Sequence, residues 1–213
     1  MPHSRTRRAL DLVLATTAVL LLAPIWTTIW VLVRLFLGTP VLFRQTRSGL
    51  GGRSFTIFKF RTMSDVRDAD GKLLPDSDRF LQFGKILRST SLDELPELIN
   101  IIRGEMSFVG PRPLLSKYVA LYSPTQARRH SVLPGVTGWA QVHGRNALRW
   151  DERLSLDVWY VDNRNVWLDL RIIAITVWKV LTREGISQAG HLTMPEFPGN
   201  RDETEYRGGR SLR

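Results

Sequence analysis

The run LVLATTAVLLLAPIWTTIWVLV, from Leu12 to Val33, decides how the rest of the chain is read. It contains no charged residue, and a helix over it would be about 33 Å long, enough to cross the hydrocarbon core of a bilayer. Its apolar stretch is too long for a secretory signal, and no small-residue cleavage site follows. Pro24 lies at its centre, where the ring clashes with the Leu20 carbonyl and removes one backbone hydrogen bond, which predicts a kink. Arg5, Arg7 and Arg8 precede the run, and Arg34, Arg44 and Arg47 follow it. Lys/Arg-rich flanks stay on the cytoplasmic side of a membrane, and here both flanks qualify. Together these features predict a re-entrant membrane helix–break–helix over residues 1–38, entering one leaflet and returning. A plain spanning helix kinked at Pro24, or a buried core helix, remains open on these residues alone.

Composition narrows the remainder. The chain has 213 residues, the usual size of one domain, and 43% hydrophobic content with 7 Trp excludes a disordered chain. Having no cysteine, it holds no disulfide, thiolate nucleophile, Cys-ligated zinc or iron–sulfur cluster. Lys+Arg 30 against Asp+Glu 20 gives a formal charge of +10, which implies an anionic partner. Most of the positive charge is arginine, whose planar fork suits phosphate. Charge alone would also fit nucleic acid, but no nucleic-acid-binding motif is present.

Outward from the apolar run, Val41–Arg47 and Ser54–Met63 read as a β-hairpin, with Ser48–Gly52 as a turn whose glycines supply positive φ. Asp65–Asp78 is a polar loop. Helical spacing marks Phe80–Leu87, Leu95–Ile102, Trp150–Tyr160 and Val166–Leu181, and two short helical stretches follow Gly110-Pro111-Arg112-Pro113. A loop runs from Leu133 through Gly144-Arg145-Asn146. The fold class predicted is α+β, mainly helical with a small antiparallel β-hairpin. It comprises the anchor, a cytoplasmic domain over 39–194 and a loose tail over 195–213. The last helix carries a stripe of Trp167, Leu170, Ile173, Ala174 and Val177, either facing the core or lying on the membrane.

No Walker loop, dinucleotide fingerprint, zinc-protease helix or serine-hydrolase elbow is present, and His3, His130, His143 and His191 lack metal-ligand spacing. Ser91-Leu92-Asp93-Glu94-Leu95-Pro96-Glu97 remains. It reads in two ways. As structure, Ser91 and Glu94 form a capping box, or Asp93 caps with Pro96 in the first turn. As chemistry, adjacent carboxylates diverge by about 100° around a helix axis and suit two different jobs. Lys59, Arg61, Arg88, Arg103, Arg112 and Arg145 bracket the pair, a pattern that fits a diphosphate with a divalent cation. On the structural reading the chain would be a non-enzymatic basic membrane-binding protein, its arginines on anionic lipid.

Four ordered motifs go further. Lys59-Phe60-Arg61-Thr62-Met63, Ser91 to Pro96, Met106 to Pro113 and Pro134 to Val142 together resemble the bacterial sugar transferase family, the monotopic phosphoglycosyl transferases, in its minimal catalytic-domain form. The likeness runs from about residue 5 to about 190. It implies transfer of a sugar-1-phosphate from a UDP-sugar to undecaprenyl phosphate at the cytoplasmic face of the bacterial inner membrane. Mg2+ and a covalent phosphosugar intermediate belong to that chemistry. Asp93 would be the nucleophile and metal ligand, and Glu94 a base toward the polyprenyl phosphate. Lys59, Arg88 and Arg112 would bind phosphate, and Gln141 and Arg145 would contact nucleotide or sugar. The residue before Pro24 is Ala23 where the family often has serine, so Thr27 or Thr28 would have to serve the break. The region of Ser187, Gly190 and Phe197 resembles members using N-acetylated di- or amino-deoxy sugars.

Overall fold

A computed structural model describes residues 5–144, 148–182 and 196–199. Arg145 and Asn146, His3 and His191, Ser187 and Gly190 and most of the tail lie outside the described residues.

The apolar run forms one helix, α1 (Arg5–Phe36), which continues through Pro24 and is not divided into two elements. The Thr27 hydroxyl donates to the Ala23 carbonyl and the Thr28 hydroxyl to the Pro24 carbonyl, both at 2.9 Å. Neither reaches the Leu20 carbonyl that Pro24 frees, although back-bonding of this kind bends helices. One stripe of α1 is buried along its length, through Asp11, Ala15, Ile29 and Val33, with Ala18, Val19 and Trp26 between. Leu10, Val13, Leu14, Leu20, Leu21, Ile25, Val31 and Leu35 face outward.

The hairpin follows as β1 (Leu42–Ser48) and β2 (Ser54–Phe60), antiparallel in the register Leu42↔Phe60 to Ser48↔Ser54. Gly51 and Gly52 have φ of 63° and 74°, as the turn requires. A short α2 (Asp76–Arg79) interrupts the expected polar loop, and α3 (Gln82–Ser89) leads to a 3-10 turn at Leu92–Glu94 and to α4 (Glu97–Arg103). Strand β3 (Ser107–Val109) precedes the Gly110–Pro113 segment, a 3-10 stretch (Ser116–Leu121), α5 (Pro124–Ala127) and a second 3-10 turn (Arg128–Ser131). The expected loop after Leu133 instead contains β4 (Gly135–Thr137), parallel to β3, and α6 (Trp139–His143). Helices α7 (Trp150–Asn163) and α8 (Val166–Thr182) complete the described domain.

Two cores couple α1 to the domain. Ile29, Val33, Leu37, Val41, Phe60 and Leu87 form one, with Leu92 and Leu95 packed against it. Ala15, Ile57, Leu98, Ile101 and Met106 form the other. Both ends of α1 are also tied down by polar contacts. Arg7 pairs with Asp169 on α8 at 3.1 Å, and Arg8 donates to the carbonyls of Ile101 and Ile102 at the end of α4. Buried Arg61 donates to the carbonyls of Leu37 and Pro40, closing the C-terminal end of α1.

One open reading is decided and one expectation is corrected. The α8 stripe is divided, with Ile173 packed against the core and most of the rest facing outward. Leu168 and Ile172 are buried, whereas Trp167 (81% exposed), Leu170, Val177, Trp178 and Leu181 (75%) point outward. The tail is not loose at its start, because Phe197 is buried against Tyr118, Tyr122 and Trp150, and Glu196 pairs with Lys117.

Candidate active site

The turn that carries the acidic pair is backbone-strained. Ser91 has φ 57°, making it the one non-glycine residue with positive φ among those described. A serine held there costs on the order of 1–2 kcal/mol, which the surrounding packing must offset. Leu92 and Leu95 pack against the core shared with α1, and this fixes the turn between them. The capping reading fails, because neither the Ser91 side chain nor any other caps the 3-10 turn or α4. Glu94 is committed elsewhere.

Its Oε1 accepts from Lys59 Nζ at 2.5 Å and from Arg112 Nη2 at 2.6 Å. Burial alone would raise the Glu94 carboxyl, but these two cations and their hydrogen bonds hold it well below the ordinary carboxylate range. Arg112 is pushed upward in turn, chiefly by Glu94 and against its own burial. Burial works against the Lys59 ammonium too, yet Glu94 and Glu97 leave it raised. Asp93, 8% exposed, behaves differently. Burial pushes its carboxyl up to about 6, Glu94 adds to the rise, and Lys59, Arg88 and Arg112 oppose it. Two neighbouring acids are thereby driven apart, with Glu94 a locked anion and Asp93 making no hydrogen bond or ion pair to a described residue.

Tertiary contacts place the cations. Asn100, fully buried, accepts from the Phe58 N–H and donates to the Thr56 carbonyl and to Glu105, stapling α4 onto β2 so that Lys59 meets the turn. Arg112 lies between two prolines, and its carbonyl accepts from Arg129 Nη2 at 2.7 Å. Arg129 is itself held by Asp157 at 2.8 Å, both nearly inaccessible. Behind the Arg112 segment the backbones of Gly110 and Gly135 meet so closely that a Cβ on Gly135 would lie 2.1 Å from the Gly110 nitrogen. Arg88 donates to Thr62 Oγ1 and stacks on Phe80. That arrangement requires Gly84, where a Cβ would come within 1.8 Å of the Thr62 carbonyl oxygen.

Asp93, Glu94, Lys59, Arg88 and Arg112 therefore lie close enough to act on one another's charge. Gln141 is buried but donates to the Val136 carbonyl, with no contact to the acidic pair. Arg61 clamps the end of α1, and Arg103 stacks on Phe58 beside Arg44, so neither serves this site. Two participants were not picked out in the sequence. Glu97, 1% exposed, lies 3.1 Å from Lys59 Nζ, and Arg47, expected only as a membrane flank, lies where Arg112 and Glu97 influence its charge. A glutamate directly after Leu95-Pro96 looks like an ordinary first-turn acid, and the alternation of the hairpin was the one available hint for Arg47.

The expected Mg2+ can be tested against the donors present. Among the described residues no cluster of three His, Cys, Asp or Glu forms a ready-made cage. Magnesium is often held by one or two carboxylates with substrate phosphates and water, and the unpartnered Asp93 carboxylate fits that mode.

A helix long and apolar enough to cross a membrane thus packs on a mainly helical domain, and beside it an unpartnered carboxylate, Asp93, lies among cations. Comparison with known proteins gives the family: residues 2–183 match the bacterial sugar transferases, and the chain belongs to that family of transferases. It is 55% identical over 170 residues to an uncharacterized sugar transferase of Bacillus subtilis, covering 80% of this chain and 84% of that one. It is 42% identical to a UDP-glucose:undecaprenyl-phosphate glucose-1-phosphate transferase of Xanthomonas campestris, covering 80% of this chain and 38% of that protein. A Caulobacter vibrioides transferase of the same name is 39% identical, with 84% and 70% covered. The chain thus spans well under half of the Xanthomonas relative and over two thirds of the other two.

Proposed function

We propose that this chain transfers a sugar-1-phosphate from a UDP-sugar to undecaprenyl phosphate in two steps, through a phosphosugar carried on Asp93. The observation that carries the reading is the contrast within the acidic pair. Glu94 is held as an anion by Lys59 and Arg112, while Asp93 beside it is unpartnered and titrates near 6, so that it is mostly ionised at neutral pH. In the first step an Asp93 oxygen attacks the β-phosphorus, the bond to the α-phosphate oxygen breaks, and UMP leaves. In the second, a phosphate oxygen of the polyprenyl phosphate attacks the same phosphorus and the aspartyl bond breaks, returning the carboxylate. Lys59, Arg88 and Arg112 neutralise phosphate charge as it shifts, which is most of what phosphoryl transfer asks of a protein. Mg2+ held by Asp93 and the diphosphate would add Lewis-acid stabilisation. Glu94, so weakly basic, acts by keeping Lys59 and Arg112 in place rather than by taking up a proton. The relatives named for undecaprenyl-phosphate transfer support this substrate class. Incubation with a panel of radiolabelled UDP-sugars should release UMP and leave label on Asp93. Release of UDP would overturn the mechanism.

The same reading covers topology. The buried stripe of α1 from Asp11 to Val33 extends over about 33 Å, the thickness of the hydrocarbon core. A helix crossing the bilayer could not keep that whole length against a domain on one side. In the proposed arrangement both ends of α1 stay with the domain, on the cytoplasmic face that the arginines at both flanks favour, with its outward apolar face in one leaflet. The outward Trp167, Trp178 and Leu181 of α8, tied to α1 through Arg7–Asp169, extend that surface.

A further inference from the structure

Glu97 is the most deeply placed acid of the site. Its side chain is 1% exposed, against 19% for Glu94. Lys59 Nζ lies between these two glutamates, 2.5 Å from Glu94 Oε1 and 3.1 Å from Glu97 Oε1. Glu97 Oε1 makes no aligned hydrogen bond, so what it offers the ammonium is charge rather than a directional bond. An uncompensated buried carboxylate costs several kcal/mol, and here the compensation comes from groups that all belong to the site. Lys59 supplies it from β2, Arg112 from the proline-flanked segment and Arg47 from β1, while Glu94 on the 3-10 turn works against it.

We propose that Glu97 is a positioning residue for the transfer reaction, drawing the Lys59 ammonium from the buried side against the pull of Glu94 so that it stays available to the donor's phosphates. This rests on the transferase reading above. With Glu97 ionised, Lys59 is shared between two carboxylates. With Glu97 neutral, Lys59 is left to Glu94 alone, which already holds Arg112. Burial pushes the Glu97 carboxyl up to about 7, with Lys59 opposing, Glu94 adding and Arg112 opposing in turn. Both states are therefore populated near neutral pH. The ionised state, which dominates above that value, is the active one.

The test is Glu97→Gln in the full chain in nanodiscs, which keeps an oxygen and the volume and removes the charge. Lys59 loses one of two counter-charges, so its acetylation by acetic anhydride at pH 8, followed by peptide mass spectrometry, should quicken about tenfold. Turnover should fall about tenfold, with a much smaller change in the donor KM. Wild-type turnover should decline as pH falls through 7, whereas E97Q should be nearly level from pH 6.5 to 8.5. Glu97→Asp should restore part of the rate together with the pH dependence. A merely structural Glu97 would lower the melting temperature and the active fraction while leaving the pH profile of the wild type in place. That profile in E97Q, or unchanged Lys59 acetylation, overturns the proposal. A wild-type protein that releases no UMP would overturn the transferase reading and this role with it, and the acetylation result would still report separately on the Glu97–Lys59 contact.

Discussion

Asp93→Asn should abolish transfer and make the protein more stable. The unfolded carboxyl gives up its proton near 3.8 and the folded one near 6. Between those values the folded state binds more protons than the unfolded, so this group lowers stability as pH rises, and the full cost is present above pH 6. A rise of that size corresponds to about 3 kcal/mol. Asparagine keeps the shape and carries no charge, so it removes that cost. For a chain of this length 1 kcal/mol moves the melting temperature by about 2–4 °C, giving a gain on the order of 6–12 °C at pH 8. At pH 4 the wild-type aspartate is protonated in the folded state and the gain should shrink to almost nothing. Differential scanning fluorimetry on detergent-solubilised protein across this range, beside UMP release, reads both quantities. A variant that melts at or below the wild type at pH 8, with a gap that does not change with pH, would refute the reasoning.

The neighbouring acid should respond in the opposite sense. Glu94→Gln removes a carboxylate whose stabilising charge is present above pH 4.5 and lost as pH falls, so it should cost about 3 kcal/mol at pH 7 and progressively less in acid, measured by urea titration. Gly84→Ala places a methyl within 1.8 Å of the Thr62 carbonyl oxygen and should cost about 3 kcal/mol or more, seen as lost folded yield, while exposed Lys85→Ala should leave the yield unchanged. Replacing Trp167 and Trp178 together by serine should weaken retention on anionic vesicles in flotation assays without altering the melting temperature, because both rings are largely exposed.

The hairpin and the two C-terminal helices were legible because each repeats its own period over enough residues to be read. The β3–β4 pair was not. Each strand is three residues long, and their pairing depends on the close approach of Gly110 and Gly135, a tertiary event with no local pattern. On α8 the period is legible and the direction is not. Leu168 and Ile172 go inward, while the neighbouring Trp167–Leu170–Val177 stripe, equally apolar, goes outward. Hydropathy does not distinguish a core from a lipid surface. The same difficulty applied to the arginines. Arg112 and Arg61 sit in similar proline- or strand-flanked settings, yet one reaches Glu94 and the other seals the end of α1. Only the partner decides, and the partners lie 18 and 21 residues away.

The placement of the acidic turn ties α1 to the candidate site more closely than a tether would. Leu92 and Leu95, on either side of Asp93 and Glu94, pack against the core that contains Ile29, Val33 and Phe60. Phe60 is the strand neighbour of Lys59, with its side chain on the opposite face of β2. The buried stripe of α1 thus belongs to the core beneath both Asp93 and Lys59. A buried ionic site of this kind needs a rigid surround, since the compensation of each charge weakens as its partners move away. Any shift of α1 against the domain would act on Leu92 and Phe60 together, and so on the spacing of Asp93, Glu94 and Lys59. On the proposed transferase reading, burying one stripe of α1 in the core of the site and leaving the rest to the bilayer would fix the depth at which a lipid-borne phosphate meets Asp93.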